Sequence, residues 1–177
     1  MRVIAGRYGG RRLQAPPGEA TRPTGDRVRE ALFSILGAEV EGARVLDLYA
    51  GSGALGIEAL SRGAAEATFV DSAPVAQRAI EANLDALGAQ AEVRRQDVRR
   101  FLGAASAAAR QYDLVFLDPP YGLAARLGPV LSELLPGVLA PGAVVIAESD
   151  RRVPLVLDLP LHDERRYGDT LIRIHGS

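Results

Sequence analysis

The sequence predicts an α/β fold built on a doubly wound, mostly parallel sheet, and three observations predict it. Apolar strand-like runs alternate with stretches of helical spacing from Arg44 onward. A glycine turn, Gly51, Gly53 and Gly56, follows the first of those runs in the G-x-G-x-x-G spacing. Acids stand in series at four strand ends, Asp47, Asp71, Asp97 and Asp118, along the edge where such sheets hold their ligands.

The elements follow in order. Met1 to Ala5 and Arg11 to Gln14 are short strand candidates joined through Gly9-Gly10 into a hairpin. Ala15 to Pro23 carries three prolines and a glycine and is a loop. Thr24 is the expected N-cap of a helix, with Asp26 in the first turn. Val28, Ala31, Leu32, Ile35 and Leu36 make its apolar face, and Gly37 ends it. Strands are expected at 44–48, 66–71, 90–94, 112–117, 142–147, 153–158 and 169–175, and helices at 54–62, 74–87, 97–109 and 123–135. Only a polar link, Pro160 to Tyr167, separates the last two strands, which should pair antiparallel at one edge. The whole chain, 1–177, is expected to be a single domain: a basic extension over 1–37 and a core over 38–177.

Composition narrows the function. The chain has 177 residues, 47% of them hydrophobic, enough for a sizeable core. The absence of cysteine excludes disulfides and thiolate metal sites, and with two histidines no histidine-rich metal cluster is expected. No signal peptide and no spanning apolar run are visible, so a soluble, cytoplasmic protein away from membranes is expected. The net charge of -1 hides an asymmetry. Residues 1–30 hold seven arginines against three acids, whereas residues 31–93 hold three against nine. A basic arm on an acidic body points to nucleic acid. All 21 basic residues are arginine, which a GC-rich coding bias explains.

The four acids suggest the ligand. Asp71, 20 residues after Gly51, is placed to accept both hydroxyls of a ribose. Asp97 is placed to accept from an adenine amino group while backbone near Val98 borders the ring. Asp47 precedes the glycine turn, where it would meet an ammonium group. Ribose, adenine and an α-amino group together describe S-adenosylmethionine. Its expected contacts are Asp47, Tyr49, Ala50, Gly51, Ser52, Gly53, Asp71, Ser72, Asp97 and Val98, with Asp118 at the reacting end. A nicotinamide dinucleotide would use the same glycines and Asp71, but its pyrophosphate would face the four carboxylates.

Asp118-Pro119-Pro120-Tyr121 supplies a chemical reason for that donor. The lone pair of an exocyclic nucleobase amine is delocalised into the ring. The Asp118 carboxylate and the Pro119 carbonyl each accept one amine hydrogen, which draws the lone pair out toward a methyl group. The two prolines fix φ and hold both acceptors, and Tyr121 offers a stacking face for the base. In the basic arm, which also contains Arg2 and Arg29, the expected nucleic-acid contacts are Arg7, Arg11, Arg12, Arg22, Thr24 and Arg27. A second cluster, Arg94, Arg95, Arg99 and Arg100, is read as a solvated face, Tyr167-Gly168-Asp169 as a turn, and His162 and His175 as structural.

Four stretches carry a family resemblance: Arg22-Pro23-Thr24 with Asp26 to Phe33, the run from Asp47 to Ala64, Asp118 to Tyr121, and Tyr167 to Thr170. Together they resemble the bacterial RsmD family. The resemblance implies a Rossmann-like class I methyltransferase sheet of seven strands with the last antiparallel, and S-adenosylmethionine as donor. It implies as substrate the N2 amine of a guanine in 16S ribosomal RNA (position 966 in the usual numbering), within an assembling 30S particle, and a monomeric enzyme without metal. The chain departs from the family's pattern at Tyr49, Gly9 and Gly25, and in lacking a basic residue over Gly122 to Ala125. An adenine-N6 methyltransferase, a nicotinamide-dependent oxidoreductase and a non-catalytic RNA-binding assembly factor stay open as alternatives.

Overall fold

The computed structural model describes residues 1–16, 25–120 and 122–176. Arg22, Thr24 and Tyr121, each given a role above, lie outside the described residues. The element order is α1 (Asp26–Leu36), β1 (Arg44–Leu48), α2 (Ala54–Ser61), β2 (Glu66–Asp71), α3 (Pro74–Leu87), β3 (Glu92–Arg95), α4 (Val98–Ala107), β4 (Tyr112–Leu117), α5 (Ala124–Leu134), β5 (Leu139–Asp150), β6 (Leu161–Tyr167) and β7 (Thr170–Gly176).

The described strands form one sheet in the order β3-β2-β1-β4-β5-β7-β6. The first five are parallel, and β7 runs antiparallel to both β5 and β6. Strand order reverses between β1 and β4, which opens a crevice at their carboxyl ends. Helices cover both faces, so each central strand is apolar on both sides. Along β1, Val45 joins Phe33, Ile57 and Ile80 on one face. Its neighbour Leu46 joins Phe101, Leu102 and Leu131 on the other. Pro74 opens α3 where its missing N–H costs nothing. Asp97 opens α4 by accepting from the amides of Arg99 and Arg100.

The structure departs from expectation at five places. The segment 153–158 is not a strand: it carries one isolated bridge, Asp150 to Val153, and buries Leu155 and Leu157 against α5 and the sheet. Its alternating apolar spacing reflects two leucines anchoring a loop. The expected link, Pro160 to Tyr167, contains β6 instead. That strand lies at the sheet edge and is charged on both faces, the composition by which edges avoid further pairing and by which they read as loop. The predicted strands at Met1–Ala5 and Arg11–Gln14 reduce to a single bridge, Arg2 to Arg12, with the turn spread over residues 5–10. In addition, β5 extends through Glu148, Ser149 and Asp150, polar residues that pair with β7. Gly25, not Thr24, occupies the N-cap of α1.

Candidate active site

A cavity of about 870 Å³ lies at the carboxyl edge of the sheet. Four successive β-to-α junctions contribute to it: Asp47 and Tyr49 to Ser52, then Asp71 and Ser72, then Asp97, then Asp118, Pro119 and Pro120. These residues are up to 73 positions apart in the chain, and parallel topology puts all of them at one edge.

Asp47 is 2% exposed, and its carboxylate accepts from the amide of Gly56 at 2.9 Å. Burial pushes its pKa up to about 7, with Asp71 adding to the rise and the Gly56 amide opposing it. A charge this buried, with a like charge nearby, favours a cation beside it. Gly56 has to be glycine for packing: a Cβ there would lie 2.4 Å from the Phe69 ring. Helix α2 therefore rides close enough on β2 for its amide to reach Asp47.

Asp71 accepts from the amide of Gly51 at 3.0 Å through one oxygen and from that of Ala73 at 2.8 Å through the other. Each carboxylate oxygen has two lone pairs, so the group is fixed in orientation and still able to accept two ligand hydroxyls. Asp97 is more fully engaged. It caps α4 and pairs with Arg99 at 3.2 Å, and that arginine holds its pKa below the usual carboxylate range. Asp97 thus serves as a helix cap while it also lines the cavity. Tyr49 takes φ 60, a left-handed conformation that costs a non-glycine residue on the order of 1 kcal/mol or more. Burial, then the nearby Asp97, pushes its hydroxyl up to about 12, so it remains a donor.

Asp118 follows the buried end of β4 and is exposed, Pro119 is buried, and Pro120 is exposed with its carbonyl accepting from Leu123 at the start of α5. Gly53 is closed in by Ile80 and Phe69, each 3.2 Å from where a Cβ would stand, and the Val98 side chain packs in the core with Phe101, so at these two positions only backbone can face the cavity.

The N-terminal segment closes one side, with Met1, Ala15 and Arg29 lining the cavity. It is held by polar side chains that the sequence alone did not single out. Glu58, fully buried on α2, accepts from the amides of Ile4 at 2.7 Å and Ala5 at 3.1 Å and pairs with Arg62 at 2.7 Å. Asn83 accepts from the Gln14 amide at 2.8 Å and donates to the carbonyls of Gln14 and Ser52, both at 3.0 Å. A charge in a short apolar helix, or an amide on the stripe Ala76, Ile80, Asn83, Leu87, signals such a partner.

Arg29 corrects the view of the arm. It is 1% exposed, donates to the Arg2 carbonyl and lies 3.8 Å from Glu58. It is a buried structural cation and takes no part in a solvated phosphate-binding face. Arg11 is exposed but donates to the Ala86 carbonyl at 2.5 Å at the end of α3. Arg7, Arg12 and Arg27 are exposed outside the cavity. Among the described residues, no group of three or more His, Asp or Glu is placed to hold a metal, and no helix is long and apolar enough to cross a membrane.

The profile of a protein family described as "Conserved hypothetical protein 95" matches residues 1–176. YlbH of Bacillus subtilis, a candidate rRNA methyltransferase, is 42% identical over 99% of this chain and 98% of its own length. Ribosomal RNA small subunit methyltransferase D of Escherichia coli K12 is 36% identical over 99% of this chain and 89% of its own length. Among solved structures, a Thermus thermophilus hypothetical protein superposes with a TM-score of 0.85 at 32% identity, over 100% of this chain and 99% of that one. The Thermus thermophilus 16S rRNA N2 methyltransferase RsmC, solved with AdoMet and guanosine, shares the fold: TM-score 0.72 at 21% identity, over 92% of this chain and 45% of that one.

Proposed function

The chain belongs to the RsmD family, described as conserved hypothetical protein 95, and on that premise we propose that it methylates ribosomal RNA with S-adenosylmethionine as donor. The finer reading is transfer to the exocyclic N2 of a guanine in 16S RNA (position 966 in the usual numbering), by a monomer acting on an assembling 30S particle. One observation carries it: the Asp118-Pro119-Pro120 corner opens on the same cavity as Asp47 and Asp71. Acceptors for an amine and carboxylates suited to the donor thus share one space.

The residues fit that donor. A cavity of about 870 Å³ lies within the usual range for cofactor clefts. The buried Asp47 favours a cationic head over the pyrophosphate of a dinucleotide. Asp71 is oriented by two amides to receive ribose hydroxyls. When bound, S-adenosylmethionine supplies an electrophilic methyl group on a sulfonium. The remaining work falls to the chain. Asp118 and the Pro119 carbonyl accept the two hydrogens of the amine and orient its lone pair. The solvent-exposed Asp118 then takes the proton that the amine sheds on methylation. The apolar walls given by Leu55, Leu127 and Val130 limit water at the transfer.

The same acceptors suit adenine N6, so nucleoside identity is the test. The protein is incubated with labelled donor and with small-subunit RNA lacking the modification, naked or in particles, and the RNA is digested to nucleosides. The expected product is N2-methylguanosine. N6-methyladenosine would shift the assignment to the second reading, and no label in either substrate would remove both.

A further inference from the structure

We infer that a second hollow, of about 320 Å³, seats a phosphate of the RNA substrate; this rests on the methyltransferase reading above. It lies between the segment following β5 and the β6–β7 hairpin, and Arg151, Arg152, Arg166 and Arg173 line it with Glu164. The arginines are organised in two trios. Glu164 pairs with Arg166 at 2.9 Å and with Arg173 at 3.0 Å. Asp169 pairs with Arg151 at 3.2 Å and with Arg152 at 3.3 Å. Asp150 adds one more carboxylate at the strand end, where it accepts from the Arg152 amide at 2.8 Å.

A carboxylate shared by two guanidiniums leaves each trio with a net positive charge. Each guanidinium has five N–H donors and spends one or two on its partner. The carboxylates therefore hold the forks in place without exhausting them, which suits bidentate phosphate recognition. The side chains of Arg152 and Arg166 stay 67% and 73% exposed, so their remaining donors face solvent.

The position fits an RNA strand that enters the methyl-transfer cleft. Leu117, next to Asp118, is in register with Ala147 of β5, which is in register with Arg173 of β7. Two strand spacings, about 10 Å, separate them. The intervening segment packs on α5, where the Asp158 amide donates to the Ser132 hydroxyl at 2.8 Å. The same helix carries Arg126 into the cavity wall. Cationic groups thus stand at the cleft, on α5, and again at the hollow. Base readout at the cleft and phosphate anchoring beside it is the usual division of labour in such interfaces.

The test uses the full chain with Arg152→Ala and Arg166→Ala combined. Both side chains are exposed, and a matched thermal melt checks the fold. Affinity for unmodified small-subunit RNA is measured across a salt series, beside donor affinity and steady-state methylation. We expect RNA binding at low salt to weaken about tenfold. The log–log salt slope should become shallower by about 0.7, because one single-strand phosphate is no longer neutralised. Donor affinity and kcat at saturating RNA should be unchanged while KM rises, and Arg152→Lys with Arg166→Lys should restore the slope. Unchanged RNA affinity and slope, in a series where the wild type binds and methylates, would overturn the inference and leave a solvated ion-pair face. Binding of inorganic phosphate that is abolished in the double variant, with RNA affinity intact, would make the hollow a small-anion site and also overturn it. A wild type that neither binds nor methylates RNA would instead sink the functional reading beneath it.

Discussion

Asp47 shows what a single residue contributes and how it can be checked. Burial raises its pKa to about 7 from 3.8, so the folded chain binds a proton that the unfolded chain has released between those values. Its contribution to stability is thus complete below about pH 4 and is lost as pH rises through 7. A cationic donor requires the ionised form. Donor affinity should therefore improve up to about tenfold per pH unit on approaching pH 7 and level off above it. Calorimetry near pH 6 in buffers of different ionisation enthalpy should register proton release on binding, and Asp47→Asn should abolish it along with the pH dependence. Binding without proton release would detach Asp47 from the donor. The sequence marked Asp47 and Asp71 as strand-end acids, because an acid after an apolar run is visible locally. It offered no means to tell them from Asp97, since capping depends on which amides a carboxylate meets in space.

At the scale of elements, the N-terminal hairpin is built against α2 and α3 as well as against itself. Backbone hydrogen bonds join its two arms, Leu13 to Met1, Val3 to Arg11 and Gly10 to Val3, and Glu58, Ser61 and Asn83 take up further backbone groups. Gly6 sits at the tightest point, with φ +79 and a would-be Cβ 1.9 Å from the Ser61 carbonyl oxygen. Gly6→Ala should undock the hairpin, lowering stability by about 1–3 kcal/mol and exposing residues 1–16 to protease. Denaturant unfolding with limited proteolysis checks this, and parental stability with an uncut hairpin would contradict it. Helices α2, α3, α4 and α5 were legible from their apolar spacing nearly to the residue. In the last third of the sheet β7 was legible at 169–175 but β6 was not, because β6 is stabilised by neighbours and not by composition. Its charged run looks like a solvated link, while the leucines of 153–158 mimic a strand by packing a loop on α5.

At the scale of the whole molecule, alternation of strand and helix dictates the site. Right-handed crossovers place every β-to-α junction at one edge of the sheet, so a glycine turn, four acids and a proline corner separated in the chain surround one cavity. That much was readable because it depends on order and period alone. The distribution of arginine was not, because it depends on distant partners. Arg29 is consumed by Glu58 across the arm, and Arg11 by the end of α3. Arg151, Arg152, Arg166 and Arg173, scattered in the sequence, converge only when β7 inserts between β5 and β6. The central claim is that Asp118 readies an amine for a methyl group held by the other acids, and Asp118→Ala tests it most directly. With donor affinity measured in parallel, turnover on unmodified RNA should fall about 100-fold or more while donor binding stays at the parental level. Methylation by that variant at a near-parental rate would contradict the account.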